Sequence, residues 1–223
     1  MSTAPRQTGG RRRALALLGF AAAGLGGWGT AVQALRAATA HPRFVPDDAA
    51  LQTGDWLFRR TVSLQGIGVG VADPAARFSH VGLIVGHDLR GRTEVVHACP
   101  PEHPQQPGVR LCSAAEFVGD GEVRDAAAYR LLTLSTAQRA GMARWARRHI
   151  GWDFDAQFSL GAPHALYCTA LVRAAMQAVH AQPLPQLTCY ATPWGARDVV
   201  LPSALLALPE VRRLPHAVRC GDG

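Results

Sequence analysis

Cys168 is the residue whose type and position best suit nucleophilic chemistry. It follows a loop that contains Gly161 and Pro163 and precedes an apolar stretch with helical spacing, so we expect it to begin a helix. The dipole and the unpaired amides of a helix N-terminus lower the pKa of a thiol placed there and favour the reactive thiolate. The same amides can stabilise an oxyanion. We therefore predict that Cys168 is a catalytic nucleophile, although a lone cysteine is most often a small buried apolar residue.

A cysteine nucleophile needs a base within hydrogen-bond reach, and the base needs a partner that orients it. His80, at the head of one predicted strand, and His97, within the next strand, are the candidates. Side chains alternate along a strand, so His97 and Glu94 point to opposite faces of the segment 93–98. We predict that His80 is the general base, and we prefer His97 to Glu94 as its orienting partner.

Three polar residues near the nucleophile are candidates for substrate binding, namely Asp155, Tyr167 and Thr169. Tyr167 could donate a hydrogen bond to the oxyanion, with simple packing as the alternative. Asp155 could line a cleft or stabilise a turn. A zinc site would fit the numbers of Cys and His, but no ligand pair has metal-like spacing. We expect neither a metal nor a cofactor.

Strand patterns come first in the chain and helix patterns follow, which predicts an α+β domain with a small antiparallel sheet packed against helices. Strands are expected at 56–58, 81–85, 93–98, 108–111 and 129–132, with a loop or short helix over 61–78 and a hairpin turn at Gly91. One helix is expected over 135–150, with Ser135 and Gln138 in capping-box positions, and another is expected after Cys168. A short helix is expected over 201–208.

The charge of the chain is unevenly distributed. All 23 basic residues among the 223 are Arg, and the formal net charge is +7. Five of these Arg and no acidic residue lie in 1–40, so the remainder carries 18 Arg against 16 acidic residues, a net charge of +2. No basic and aromatic patch accompanies the charge, so we do not expect nucleic-acid binding.

The N-terminal segment 1–40 resembles an export signal. Arg11 to Arg13 precede an apolar, Ala- and Gly-rich stretch over 14–35, followed by small-residue cleavage candidates. The stretch is also long enough for an uncleaved membrane anchor, and an ordinary apolar helix of the fold is the remaining alternative. We predict a signal peptide or membrane anchor over 1–40, a linker over 41–52 and one catalytic domain over 53–223, located outside the cytoplasm.

Several motifs of this chain are similar to the sheet of the NlpC-type papain-like cysteine hydrolases. They are GDWLF at 54–58, SHVGLIVG at 79–86, VVHA at 95–98 and GV at 108–109. The YCTALV run at 167–172 comes after the sheet, whereas the family's usual order puts the cysteine helix first. This order resembles the circularly permuted YiiX/YebB-like branch, which is related to the lecithin:retinol acyltransferase-like enzymes. The resemblance covers roughly 54–214 and implies a circularly permuted NlpC-type papain-like fold.

The resemblance implies an exported hydrolase that cleaves an amide bond of a peptide-like or cell-wall substrate through a thioester. A lipid acyl-hydrolase or acyltransferase is the alternative, since His97 stands where the permuted branch often has Glu and the acyltransferase-like relatives have His. A non-catalytic binding domain is the second alternative. Tyr167 and Thr169 flank the nucleophile where the usual family often has Asp and Ser, so recognition of a peptide's free amine is not implied.

The chain has five cysteines, which in an exported protein suits two disulfides and one working thiol. Cys99 and Cys112 follow neighbouring strands, and Cys189 and Cys220 both lie in the tail. We expect these two pairs to be bridged and Cys168 to be free, with five reduced cysteines as the alternative.

The predicted export has a direct test. A reporter that is active only in the cytoplasm, fused after Gly223, should stay silent, because the Arg cluster and apolar segment direct the domain across the membrane. The same fusion without 1–40 is the control and should be active. A bright cytoplasmic signal from the full fusion would contradict the predicted location.

Overall fold

The computed structural model describes residues 43–45, 47–100, 107–119, 121–192, 195–215 and 217–219. They belong to one compact unit that comprises 41–223. The predicted signal or anchor segment 1–40 and Cys220 lie outside the described residues. Within the described part of the chain, no helix is long and apolar enough to cross a membrane.

The centre of the domain is a six-stranded antiparallel sheet with the strand order β11-β6-β2-β3-β4-β5. Its strands are β2 (Trp56–Thr61), β3 (His80–His87), β4 (Thr93–Cys99), β5 (Gly108–Ser113), β6 (Val123–Leu131) and β11 (Val211–Arg213). The six other described strands form three two-stranded pairs: β1 (Arg43–Val45) with β12 (Ala217–Arg219), β7 (Asp153–Phe154) with β8 (Ala165–Leu166), and β9 (Thr188–Thr192) with β10 (Gly195–Val199).

The described residues contain five helices: α1 (Leu64–Ala72), α2 (Ala114–Gly119), α3 (Thr136–Arg148), α4 (Cys168–Ala178) and α5 (Pro202–Leu206). The predicted capping box of α3 is present, since Gln138 N–H donates to Ser135 Oγ and Ser135 N–H donates to Gln138 Oε1. The buried face of α4 includes Leu171 and Met176 at helical spacing, which explains why this segment is helical.

The two faces of the sheet bury different clusters, because side chains alternate along each strand. Trp56, Phe58 and Leu83 belong to the larger core with the buried residues of α3 and α4. Leu57 and Ile84 belong to the smaller core, which includes Phe117 of α2. The sheet is therefore covered on both faces.

The predicted fold class is confirmed: the structure is a mixed α and β domain with an antiparallel sheet and helices packed on it. All five predicted strands and three predicted helices exist, with longer strands than expected. The segment 61–78, expected as a loop or short helix, contains α1. The structure adds α2, β11 and the small strand pairs. Their sequences are short or weakly periodic, so tertiary pairing stabilises them rather than local preference.

The segment 41–52, predicted as a linker, is tied to the domain. Its β1 strand pairs with β12, and Asp48 Oδ1 accepts a hydrogen bond from Thr93 N–H at 2.9 Å. Leu51 is buried in the smaller core. These contacts attach the segment to the sheet.

The predicted Cys99–Cys112 disulfide is wrong. The β4–β5 register sets Cys99 opposite Gly108 and Cys112 opposite Val95, so the two residues lie four positions apart along β5. That offset corresponds to roughly 13 Å, whereas bridged Cα atoms lie within about 7 Å. The predicted Cys189–Cys220 bridge is wrong as well, because Cys189 is a free cysteine.

A buried carboxylate joins β2, β6 and α3. Asp55 is fully buried and receives two hydrogen bonds of 2.7 Å from Arg130, and Arg139 lies 3.4 Å away. Gln52 N–H also donates to it at 2.8 Å. The neighbouring Gly54 has φ +90°, and its backbone lies so close to Arg139 that a side chain at this position would clash. Asp55 therefore fixes the start of β2 against two other elements.

We expect Asp55→Asn to lower the free energy of unfolding by about 3 kcal/mol, because it leaves two arginines without their buried counter-charge. Asp125→Asn is the matched control, since Asp125 pairs with Arg77, which is 52% exposed, and should cost at most about 1 kcal/mol. Urea unfolding of both variants measures the difference. Equal losses for the two would contradict the structural role of Asp55.

Candidate active site

Cys168 is the first residue of α4 and is 6% exposed. The β3–β4 ladder runs from the Leu83–Val96 pair toward the hairpin, so the start of β3 is not paired with β4. The backbone amide of Val81 in this unpaired part lies close enough to the Cys168 sulfur to lower the pKa of the thiol. Cys168 therefore lies near the backbone of the residue that follows His80.

Burial raises the pKa of the Cys168 thiol to about 11. Hydrogen bonds from the backbone amides of Val81, Thr169 and Cys168 itself lower the pKa, and so does the positive charge of Arg59, but together they do not offset burial. The sequence-based expectation of a lowered pKa is wrong, because the helix N-terminus is enclosed by the fold. The resting thiol is therefore protonated at neutral pH.

His80 and His97 form a buried hydrogen-bonded pair. His80 Nε2 lies 2.9 Å from His97 Nδ1, and the side chains are 3% and 0% exposed. A Cβ at Gly82 would come within 3.4 Å of the His97 Cβ and 3.1 Å of the Phe117 ring. The first clash of such a Cβ would be with Val95 Cγ1, so Gly82 lets β4, the strand that carries His97, lie close to β3. Phe117 stacks on the His80 ring at 5.5 Å and meets the His97 ring edge-on at 5.0 Å.

Two further groups contact His97. The Nε–H of Arg110 donates to His97 Nε2 at 3.2 Å, and the Cys99 sulfur lies 3.5 Å from His97 Nδ1. Both residues lie on the same face as His97, since Arg110 is opposite it on β5 and Cys99 is two positions further along β4. Glu94 is directed elsewhere and pairs with Arg147.

Sequence reasoning missed Arg59, Arg110 and Phe117. Arg59 is 4% exposed, donates to the Phe117 carbonyl at 2.7 Å and lies over the Phe117 ring. It is opposite His80 in the β2–β3 register. Arg59 and Arg110 could have been found if the strand register had been known, because each lies opposite one of the histidines. Phe117 could not, because the sequence of α2 has no pattern that predicts a helix.

The candidate substrate-binding residues make hydrogen bonds within the chain. Tyr167 Oη accepts from Val200 N–H at 3.0 Å, and Thr169 Oγ1 donates to Val200 C=O at 2.6 Å. Asp155 is buried and accepts from the N–H groups of Gln157 and Ser159. These bonds fix the chain on either side of the nucleophile, and a role in substrate binding stays a prediction.

The structure places the hydrogen-bonded His80–His97 pair and Cys168 near the same end of the sheet, with Val81, the residue after His80, next to the Cys168 sulfur. Among the described residues, no group of three or more His, Cys, Asp or Glu side chains is arranged to hold a metal ion.

The comparisons with known proteins agree with this architecture. Residues 50–214 match the family described as permuted papain-like amidase enzymes, YaeF/YiiX. The match covers well over half of the chain, and the chain belongs to this family of hydrolases. No curated protein matches the sequence.

A solved structure has the same fold. It is the crystal structure of the metalloprotein yiiX from Escherichia coli, with a TM-score of 0.63 and 20% sequence identity. The similar region covers 76% of this chain and 99% of that one.

The raised thiol pKa predicts how Cys168 reacts with iodoacetamide. Only the thiolate is alkylated, so the rate should rise about tenfold per pH unit from pH 7 and level off near pH 11. Mass spectrometry of the peptide that contains Cys168 measures this rate separately from the other cysteines. A rate that is already constant below pH 8 would instead indicate a preformed thiolate–imidazolium pair.

Proposed function

We propose that this protein is a cysteine amidase in which Cys168 is the nucleophile, His80 is the general base and His97 orients His80. The observation that carries the proposal is the buried His80–His97 pair. It lies at the start of β3, where the Val81 amide is near the Cys168 sulfur. The amidase family supports hydrolysis of an amide bond.

The proposed reaction begins with a neutral thiol, because burial raises its pKa. As the sulfur attacks the amide carbonyl, the thiol proton moves to His80 and a C–S bond forms. The amides at the N-terminus of α4 can stabilise the oxyanion. His80 then gives its proton to the leaving amine, which leaves a thioester on Cys168. Water, deprotonated by His80, attacks the thioester carbonyl and the C–S bond breaks, which releases the carboxylic acid product. His80 returns the proton to the Cys168 sulfur and restores the neutral thiol.

The substrate we favour is a peptide-like amide. An acyl-lipid substrate is the second candidate, and one observation favours it. The half-buried Phe158 contacts Tyr167, the residue before the nucleophile, and the half-buried Phe154 contacts Phe158. Such apolar rings suit an acyl chain. The same thioester would then pass its acyl group to water or to an acceptor amine or alcohol.

We further propose that the enzyme acts outside the cytoplasm, carried there by the segment 1–40. The proposal rests on the Arg cluster followed by an apolar stretch in the sequence.

Variants of the three residues test the mechanism. With peptide p-nitroanilides as probes, Cys168→Ala should lose at least about 10⁴-fold in kcat/KM. His80→Ala should lose about 10³-fold, because the base is removed. His97→Glu should retain more activity than His97→Ala, since a carboxylate can still orient His80. Fatty-acyl p-nitrophenyl esters tested in parallel distinguish the two substrate classes.

Cys189→Ala is the matched control, because Cys189 is exposed and lies on β9, and it should keep full activity. A chelator should leave the activity unchanged, which separates a thiol mechanism from a metal-dependent one. Full turnover by Cys168→Ala would overturn the proposal.

A further inference from the structure

Arg110 is an obligate hydrogen-bond donor beside the histidine pair. A guanidinium carries only N–H groups and stays protonated in proteins. Its Nε–H points at His97 Nε2 over 3.2 Å, and this contact follows from the register that sets Arg110 opposite His97. His97 Nε2 must therefore accept, and it cannot carry a proton while the contact exists.

This requirement fixes the proton positions along the pair. A neutral imidazole has one N–H, so His97 carries its proton on Nδ1. His97 Nδ1 lies 2.9 Å from His80 Nε2, and it donates there. His80 Nε2 is then an acceptor, and neutral His80 carries its proton on Nδ1. The Cys99 sulfur is only a weak hydrogen-bonding group at 3.5 Å and does not reverse this order.

This arrangement is opposite to the one the proposed reaction needs. With Nε2 engaged by His97, only Nδ1 of His80 remains to take the thiol proton, so Nδ1 must be unprotonated. His80 must then carry its proton on Nε2 and donate to His97 Nδ1, which places the His97 proton on Nε2. That proton would face the Arg110 Nε–H, and two donors cannot share a hydrogen bond.

We infer that Arg110 is a positioning residue that holds the histidine pair in the Nδ1–H tautomers, so that His80 becomes able to accept the thiol proton only when the Arg110–His97 contact opens. The inference rests on the proposed function for its catalytic consequence, whereas the proton positions themselves rest on geometry alone. No proton is gained or lost in the change: each imidazole exchanges one N–H for the other.

The tautomers can be read without an assay of activity. In the full chain labelled with ¹⁵N-histidine, long-range ¹H–¹⁵N correlations distinguish Nδ1–H from Nε2–H, and the loss of one signal set in His97→Asn assigns His97. We expect His97 to be the Nδ1–H tautomer in the wild type. In Arg110→Met, which has no donor, the Nε2–H tautomer should gain at least about tenfold in population, the factor expected from losing one charge-assisted hydrogen bond.

Arg110→Lys keeps an obligate donor and should preserve the wild-type tautomer, which separates hydrogen bonding from packing. Arg124→Met is the matched control, since Arg124 is an exposed arginine on β6 and should change neither spectrum nor rate. Alkylation of Cys168 by iodoacetamide at pH 7 should be about tenfold faster in Arg110→Met, in proportion to the population of base-competent pairs.

An Nε2–H tautomer for His97 in the wild type would overturn the inference and leave the proposed function intact. An unchanged tautomer in a folded Arg110→Met would overturn it as well. If Arg110→Met does not fold, the wild-type and Arg110→Lys spectra still decide the proton positions. Failure of the proposed function would show differently, as full activity in Cys168→Ala.

Discussion

The β3–β4 ladder ends at the Leu83–Val96 pair, so Val81, near the start of β3, is not paired with β4. The geometry of the site depends on this unpaired position. A continued ladder would pair the Val81 amide with β4 and close the position that the Cys168 sulfur occupies. Because the ladder stops at Leu83, the Val81 amide is left near the Cys168 sulfur and lowers the pKa of the thiol. The start of α4 therefore lies beside the unpaired start of β3.

Enclosure on both faces of the sheet determines the electrostatics of the site. Cys168, His80 and His97 are all buried, and burial raises the pKa of the Cys168 thiol, so the thiol is neutral at rest. The fold places two arginines close by: Arg59, which favours the thiolate, and Arg110, which donates to His97. In such a site the position of one proton matters more than net charge, because every hydrogen bond is strengthened by the low local dielectric.

This chain has the same fold as the E. coli structure at 20% sequence identity. Within this chain, three features position the site: a glycine between the strands that carry the two histidines, a helix that begins at the cysteine, and hydrogen bonds that hold the flanking segments. Gly82 supplies the first. Tyr167 and Thr169 bond the Val200 backbone on either side of Cys168. The buried Asp55 bonds Arg130 and holds the start of β2.

Most of the strands and helices and the candidate residues could be predicted from the sequence. Strand and helix periods, the Ser135–Gln138 capping box and the order of the His80, His97 and Cys168 motifs are local patterns, and local patterns can be read along the chain. The remaining features follow from tertiary contacts. The register set Arg110 against His97 and separated Cys99 from Cys112. Burial reversed the expected direction of the Cys168 pKa. These outcomes depend on distances between residues that are far apart in the sequence, so the residue spacing within one segment cannot predict them.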